Sequence, residues 1–420
     1  MASTLAIFDY GLKERYTNKQ VVQNLCFADH PTMMKLNKDT DFQGSGHPVP
    51  VIIRPAMGVA GSLQGAQTNA TTNSNVAGNV KGVQFMVTAG DLVGSVDIGE
   101  KVIRASRSNP GAFLQNKQVE IDGLYGFQMD QLATACFSNG SNVLGISNAT
   151  VSSTTITFSN PSDAMNFEED MPLEASLADG ATVTDALVAG TAYVDAVDRN
   201  NGTITLSALP AGWTSVGVLY LFLSGTFAGN VGNFITHGFR SYVAGTATPA
   251  ALYGVTAAQR LNDPSRLGGV YLPAATVAGL GTEVRLQMLG AQMTGRHKGK
   301  GAKYYTMHPE DWQTLAIALQ SRGQRSLTDK STSFGYEYLE VVAGGVRAEV
   351  YADRANPKGL ACAWHLPTWT LFSMGELLGP QNGDGLTMLR KATTLDYEYR
   401  LISFPGLGNS APGWSGRVAV

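Results

Sequence analysis

The chain has 420 residues, a formal net charge of −3 and 15% charged residues, well under the roughly 25% of an average soluble domain. The near-neutral balance excludes the overall basic footprint of a nucleic-acid binder. No run approaches the ~18 apolar residues of a membrane span, and Cys26, Cys136 and Cys362 form no CxxC pair, so neither a zinc site nor a disulfide framework is expected.

So little charge on a long chain has two readings. One is a surface covered by neighbouring subunits, because interface cores are depleted in charge. The other is a β-rich chain whose 48 glycines sit in turns. The length suggests two or three domains, or one with long insertions. Lys13, Glu14 and Arg15 interrupt the apolar residues at the start, so the N-terminus does not read as a signal peptide.

Residues 1–48 mix short helix signals with polar loop. Asp9 is placed to cap a helix reaching Val22, His30-Pro31 breaks the chain, and Gly44-Ser45-Gly46 marks a turn. This reads as an arm laid on another surface. Residues 49–57 predict an extended strand with prolines near its ends, suited to a sheet edge. Residues 58–79, rich in Gly, Asn and Thr, have no apolar period and predict a mobile loop tip. A second extended run returns over 81–96, with Val83, Phe85 and Val87 alternating with Gln84 and Met86. Together they make a protruding hairpin, marginal in water unless it lies on another surface.

Residues 109–138 give the clearest helix. Asn109-Pro110 supplies a cap and a first-turn proline. Leu114, Ile121, Tyr125, Leu132 and Cys136 fall on one face, and Asn139-Gly140 ends the helix. Gly123 and Gly126 lie inside it, each costing about 1 kcal/mol relative to Ala. Close packing against another element is one explanation for them, and a bendable point is the other. Residues 141–225 predict a separate module of short strands, with a hairpin turn at Asn200-Asn201-Gly202, building a small barrel or sandwich. This module holds one basic residue, Arg199, and nine acidic ones, a net of −8, so the rest of the chain carries +5.

The remainder, 226–420, reads as mixed α/β. A helix over 276–294 would present Val277, Leu280, Val284 and Met288. A strand at 304–307 precedes a helix opened by His308-Pro309-Glu310-Asp311-Trp312 and running through Leu319. Strands follow at 339–342, 348–351 and 369–373. The last clear strand, 394–403, has Leu395, Tyr397, Tyr399 and Leu401 on one face.

No catalytic pattern emerges. The six histidines fall in neither HxH nor HExxH spacing, Gly413-Trp414-Ser415-Gly416-Arg417 fails as a GxSxG elbow at its final position, and no phosphate loop or dinucleotide fingerprint is present. Glu168-Glu169-Asp170 reads as a solvated acidic edge. Arg296, Lys298, Lys300 and Lys303 read as a solvated helix end, with phosphate contact as the sharper alternative. No catalytic residue, cofactor or metal is expected.

The order of elements, together with particular strings, resembles the major capsid proteins of tailed bacteriophages, the Hong Kong 97-type fold shared with herpesvirus capsid floors. The strings are Glu120-Ile121-Asp122-Gly123, Phe137-Ser138-Asn139-Gly140-Ser141, Met307-His308-Pro309-Glu310-Asp311-Trp312, Asp384-Gly385-Leu386-Thr387-Met388-Leu389-Arg390 and Ala411-Pro412-Gly413-Trp414. The resemblance spans nearly the whole chain.

It implies an α+β fold divided into an N-terminal arm (1–48), an extended loop (49–108), a spine helix (109–140), an inserted small all-β domain (141–225), an axial body with part of the peripheral domain (226–380), and a peripheral strand with the C-terminal tail (381–420). It also implies a structural, non-enzymatic subunit of an icosahedral virion, assembled in the host bacterial cytoplasm. Such a subunit forms homo-oligomeric pentamers and hexamers, encloses double-stranded DNA without sequence-specific binding, and has scaffolding, portal and decoration proteins as partner classes and no membrane. The acidic module would face outward and the mildly basic body would face the DNA. The candidate assembly residues are Lys81, Phe85 and Lys101 on or near the hairpin, with Gly123 and Gly126 in the helix. Some family members join subunits by a Lys–Asn isopeptide bond, but no acceptor matches here and crosslinking is not expected. Two departures stand out: no long charged helical extension acts as a built-in scaffold, and no activating acid is recognisable. The competing readings are a phage tail or adhesin-type β-protein, which would form tubes or trimers, and a hydrolase or carbohydrate-binding enzyme, which would need a convergent polar cluster.

Overall fold

The computed structural model describes residues 30–420 except 43, 45, 57, 72–80, 101–109, 181–184, 228–236, 245–248, 298, 322–337, 382–387, 392, 393 and 395. The expected helix between Asp9 and Val22 lies outside the described residues. The chain forms two compact units, each built from segments far apart in sequence. One draws on Met1–Phe42, Ala89–Gly238 and Phe372–Gly406, the other on Gln43–Thr88, Phe239–Leu371 and Leu407–Val420.

The backbone of the first unit is the helix Pro110–Phe137, about 42 Å long at 1.5 Å per residue. Ile121, Tyr125, Leu132 and Cys136 are buried, as their spacing predicts, with Met129 and Ala133 completing the stripe. Gly140, at φ +95°, turns the chain away after it. Against this helix lies an antiparallel sheet centred on Tyr397–Ser403, which pairs with Leu92–Ile98 along one edge and with Met388–Arg390 and Gly379–Pro380 along the other. Tyr399 and Leu401 point inward, and the Tyr399 hydroxyl lies 3.3 Å from that of Tyr125.

Two expectations change here. His30-Pro31 does not break the chain but opens the helix Pro31–Lys35, where a first-turn proline loses no hydrogen bond. Met33 and Leu36 are buried, and His30 Nε2 is 2.8 Å from Asp130 Oδ1, so this part of the arm belongs to its own unit's core. The returning run over 81–96 is also two strands, not one. It breaks at residues 88–91, after which Leu92–Ile98 pairs with Tyr397–Ser403 and not with the hairpin.

Also in the first unit, residues 145–223 form a six-stranded barrel in the order Gly145–Ile146, Tyr220–Leu223, Pro172–Ser176, Leu187–Asp198, Thr203–Leu206, Thr155–Thr157. A bridge between Ser147 and Phe158 joins the first strand to the last, which settles the barrel-or-sandwich alternative in favour of closure. Leu173, Val194, Ile204, Leu206, Leu219 and Leu221 fill it, and Phe158 stacks on Phe167 with ring centroids 4.8 Å apart. The predicted turn joins Leu187–Asp198 to Thr203–Leu206. Asp198 accepts the backbone N–H groups of Asn200 and Asn201. Gly202, at φ +66°, sits where a Cβ would be 2.3 Å from Pro161 Cα, so only glycine fits.

The second unit is organised by a six-stranded mixed sheet in the order Val270–Leu272, Gly416–Ala419, Leu360–Trp364, Tyr304–Met307, Val346–Ala352, Tyr338–Ala343. The helices Thr282–Gly295 and Pro309–Ser321 cover one face. Leu286, Leu289, Met293, Leu315 and Leu319 pack there on Tyr305, Met307, Val350 and Val418. The sequence places the first of these helices too early, and only Val277 and Met288 of its expected face meet the core. Gly279 takes φ +75°, and the helix starts at Thr282. Leu280 and Val284 are exposed, while Leu286, Leu289, Gly290 and Met293 are buried. The cause is backbone proximity: at Gly290 a Cβ would lie 2.7 Å from the carbonyl carbon of Ala343. The register follows the glycine and not the first apolar stripe. The strand over 394–403 is also not the last, since Pro405–Asn409 and Gly416–Ala419 follow it.

The hairpin belongs to this unit. His47–Arg54 pairs antiparallel with Lys81–Val87, from His47↔Val87 to Arg54↔Lys81. Among the described residues no other strand joins this two-stranded sheet, so the exposed Pro48 and Pro50 lose no ladder partners there. Where a mobile tip was expected, residues 63–71 form the helix Leu63–Thr71.

Candidate assembly surfaces

The hairpin has two unlike faces because side chains alternate along a strand. Val49, Val51, Phe85 and Val87 face inward and are buried. The Phe85 ring meets Tyr242 edge-on at 5.6 Å, and Met86 N–H donates to the carbonyl of Tyr253. Phe85 is therefore a core residue of its own unit, where the sequence made it a candidate assembly residue. Lys81 is exposed, opposite Arg54 at the far end of the hairpin, and Lys101 lies outside the described residues.

The outward face continues into bare apolar surface. Ile52 is 65% exposed, Val59 79% and Leu63 77%. None of the described side chains of the helix Leu63–Thr71 is buried. A nine-residue helix is marginal in water without packing. Neither periodicity nor composition signalled this surface, because Ile52, Val59 and Leu63 stand singly among small and polar residues.

On the long helix, Gly123 and Gly126 are exposed and a Cβ at either would meet nothing within 4 Å. Close packing is therefore excluded as their explanation within the described residues.

Among the described residues no group of three or more metal-ligating side chains converges. Cys136 and Cys362 are buried, and burial pushes the Cys362 thiol up to about 12. Burial holds His308 and His365 below the usual imidazole range, which favours their neutral forms. In the barrel, burial raises the Asp163 carboxyl to about 6, against hydrogen bonds from Asn160 and the Ile146 backbone. On the acidic edge, Glu168 pairs with Arg199 at 2.8 Å. The basic cluster after the helix Thr282–Gly295 is partly committed to packing, with the Lys300 ammonium 5.1 Å from the Trp414 ring centroid. Lys298 lies outside the described residues.

No family model matches the chain, and no curated protein matches it. Among solved structures it is similar to the cyanophage A-1(L) capsid asymmetric unit, at 10% identity over 93% of this chain and 92% of that one, with a TM-score of 0.45. It is similar also to a chain of Gordonia phage Cozz, at 12% identity over 94% and 86% with a TM-score of 0.42. A third is the capsid of the Myoviridae phage XM1, at 8% identity over 92% and 89% with a TM-score of 0.41. All three are phage structures, and two of them are described as capsids.

Proposed function

We propose that this chain is the major capsid protein of a tailed phage, a structural subunit that assembles into pentamers and hexamers of an icosahedral head around double-stranded DNA. The observation that carries this reading is the bare apolar surface of the hairpin and the helix Leu63–Thr71. An ordered helix with no buried side chain among its described residues, next to Ile52, Val59 and Leu63 in water, is what a subunit presents when its neighbours complete its core. The low charge density has the same explanation, since covered surfaces are depleted in charge. The finer reading is a Hong Kong 97-type subunit in which Pro110–Phe137 is the spine helix, the hairpin is the extended loop, and the closed acidic barrel is an insertion. Scaffolding, portal and decoration proteins are the partner classes that follow from it.

Hydrogen exchange tests the covering directly. Backbone amides over residues 58–71 are expected to exchange at least tenfold more slowly in assembled particles than in the free subunit. Equal exchange in the two states would contradict it.

In this reading Gly123 and Gly126 weaken the exposed side of the spine helix so that it can bend between immature and expanded shells. Replacing both by alanine removes about 2 kcal/mol of helix penalty without a clash, because both Cβ positions are open. The double variant is expected to assemble and then fail to expand. Unchanged expansion, followed by particle diameter, removes the bending role.

A further inference from the structure

The side of the six-stranded sheet opposite the two helices carries an anomaly of another kind. Arg417 sits in the strand Gly416–Ala419, in register with Tyr271 on one neighbour and Cys362 on the other. Val418 belongs to the core under the helices, and a Cβ on Gly416 would lie 2.9 Å from Leu289. Strand alternation therefore sends Arg417 to the opposite face. Its guanidinium stands 4.5 Å from the Tyr271 ring centroid, and the residue is 7% exposed. Its Nε is shut off from water and has no acceptor, and the Nε of half-buried Arg240 is in the same condition. Among the described residues neither guanidinium has a hydrogen bond or an ion pair.

The two cations are close enough to act on each other. Burial and then the Arg240 charge pull Arg417 down to about 10. The nearby candidates for a counter-anion do not serve. The Cys362 thiol is pushed up by burial despite both arginines, so it is neutral at pH 7. The Asp353 carboxylate acts on Cys362 but is not among the groups that act on Arg417. Arg260 supplies the contrast. It is 1% exposed and donates to the carbonyls of Ala250, Ser241, Tyr242 and Leu267, so a buried arginine with a structural role is fully satisfied by this chain. An unpaired buried charge is costly, and among the described residues none offers Arg417 Nε an acceptor.

We propose that Arg240 and Arg417 form a binding site for a phosphate group, seated beside Tyr271. A phosphate dianion matches two cations in charge, and its several oxygens can accept from both guanidinium forks at once, whereas a carboxylate brings a single negative charge. The depth of Arg417 admits a single small group and not the face of a polymer. The site stands independently of the capsid reading.

Calorimetric titration of the full chain with inorganic phosphate, at ionic strength held constant with chloride, tests it. The expected result is one site per chain, with affinity falling at least tenfold in Arg417→Met and in Arg240→Met. Arg240 is half-buried, so its variant is expected to fold even if Arg417→Met does not. A parallel titration with glycerol phosphate separates the sources: binding equal to phosphate assigns the site to a phosphomonoester terminus, and binding only of the inorganic ion assigns it to free phosphate. The proposal is overturned if phosphate produces no heat beyond the chloride control, if Arg240→Met leaves the affinity unchanged, or if acetate binds where phosphate does not. The last result would assign the arginines to a carboxylate of a neighbouring protein.

Discussion

Gly290→Val is expected to destabilise the second unit by about 3 kcal/mol, lowering its melting temperature by roughly 6–12 °C. On an exposed helix, replacing glycine by a residue with a side chain recovers helix propensity. At Gly290 the sign reverses. A Cβ there would lie 2.7 Å from both the carbonyl carbon and the Cβ of Ala343 and 2.8 Å from the nitrogen of Gly344. Two of those are backbone atoms of a tight turn between paired strands, and they cannot swing aside as a side-chain tip can. Gly344 itself takes φ +60°, and its own Cβ would lie 2.4 Å from the Gly290 carbonyl oxygen. Helix and turn therefore touch through bare backbone, and valine must push the helix Thr282–Gly295 off the sheet, opening the core at Leu286, Leu289 and Met293. Scanning calorimetry checks this, with Gly123→Ala as the internal control, since the same technique should find that variant stabilised by about 1 kcal/mol. An unchanged or higher melting temperature for Gly290→Val would show that the close approach is not maintained in solution.

The second large effect concerns assembly and not folding. Deleting residues 58–79 and closing the hairpin with a short Gly-Ser turn is expected to leave the melting temperature within about 2 °C of the parent. Surface changes away from packed features usually cost little, and none of the described side chains of the helix Leu63–Thr71 is buried. The register Arg54↔Lys81 already brings the two strand ends together, so a tight turn can join them, while Phe85 keeps its contact with Tyr242. Particle yield by sedimentation is expected to fall at least tenfold, because the removed surface carries Val59 and Leu63. Full particle yield would show that this surface is not what neighbouring copies cover.

Much of the fold was legible because it is written in periodicity. The helix Pro110–Phe137 is long enough for the face of Ile121, Tyr125, Leu132 and Cys136 to show, and its exit is marked by Gly140. The barrel announced itself through short strands and Asn200-Asn201-Gly202, although its closure rests on the single bridge Ser147–Phe158, which no local pattern encodes. What failed depends on contacts remote in sequence. The misplaced face near Leu280 and Val284 looked amphipathic, but the backbone approach at Gly290 decided the register. Gly416–Ala419 is too short and too close to glycine to read as a strand, yet it lies inside the sheet between Val270–Leu272 and Leu360–Trp364. Phe85 alternates as a strand residue should, and alternation cannot tell a core face from an interface. The paired Arg240 and Arg417 are 177 positions apart in the sequence, and neither belongs to a motif.

Electron microscopy of the expressed full chain tests the central claim most directly. The account predicts closed icosahedral shells, or rings of five and six subunits. Helical tubes or trimers would contradict it and would assign the same bare surface to a tail or adhesin-type assembly.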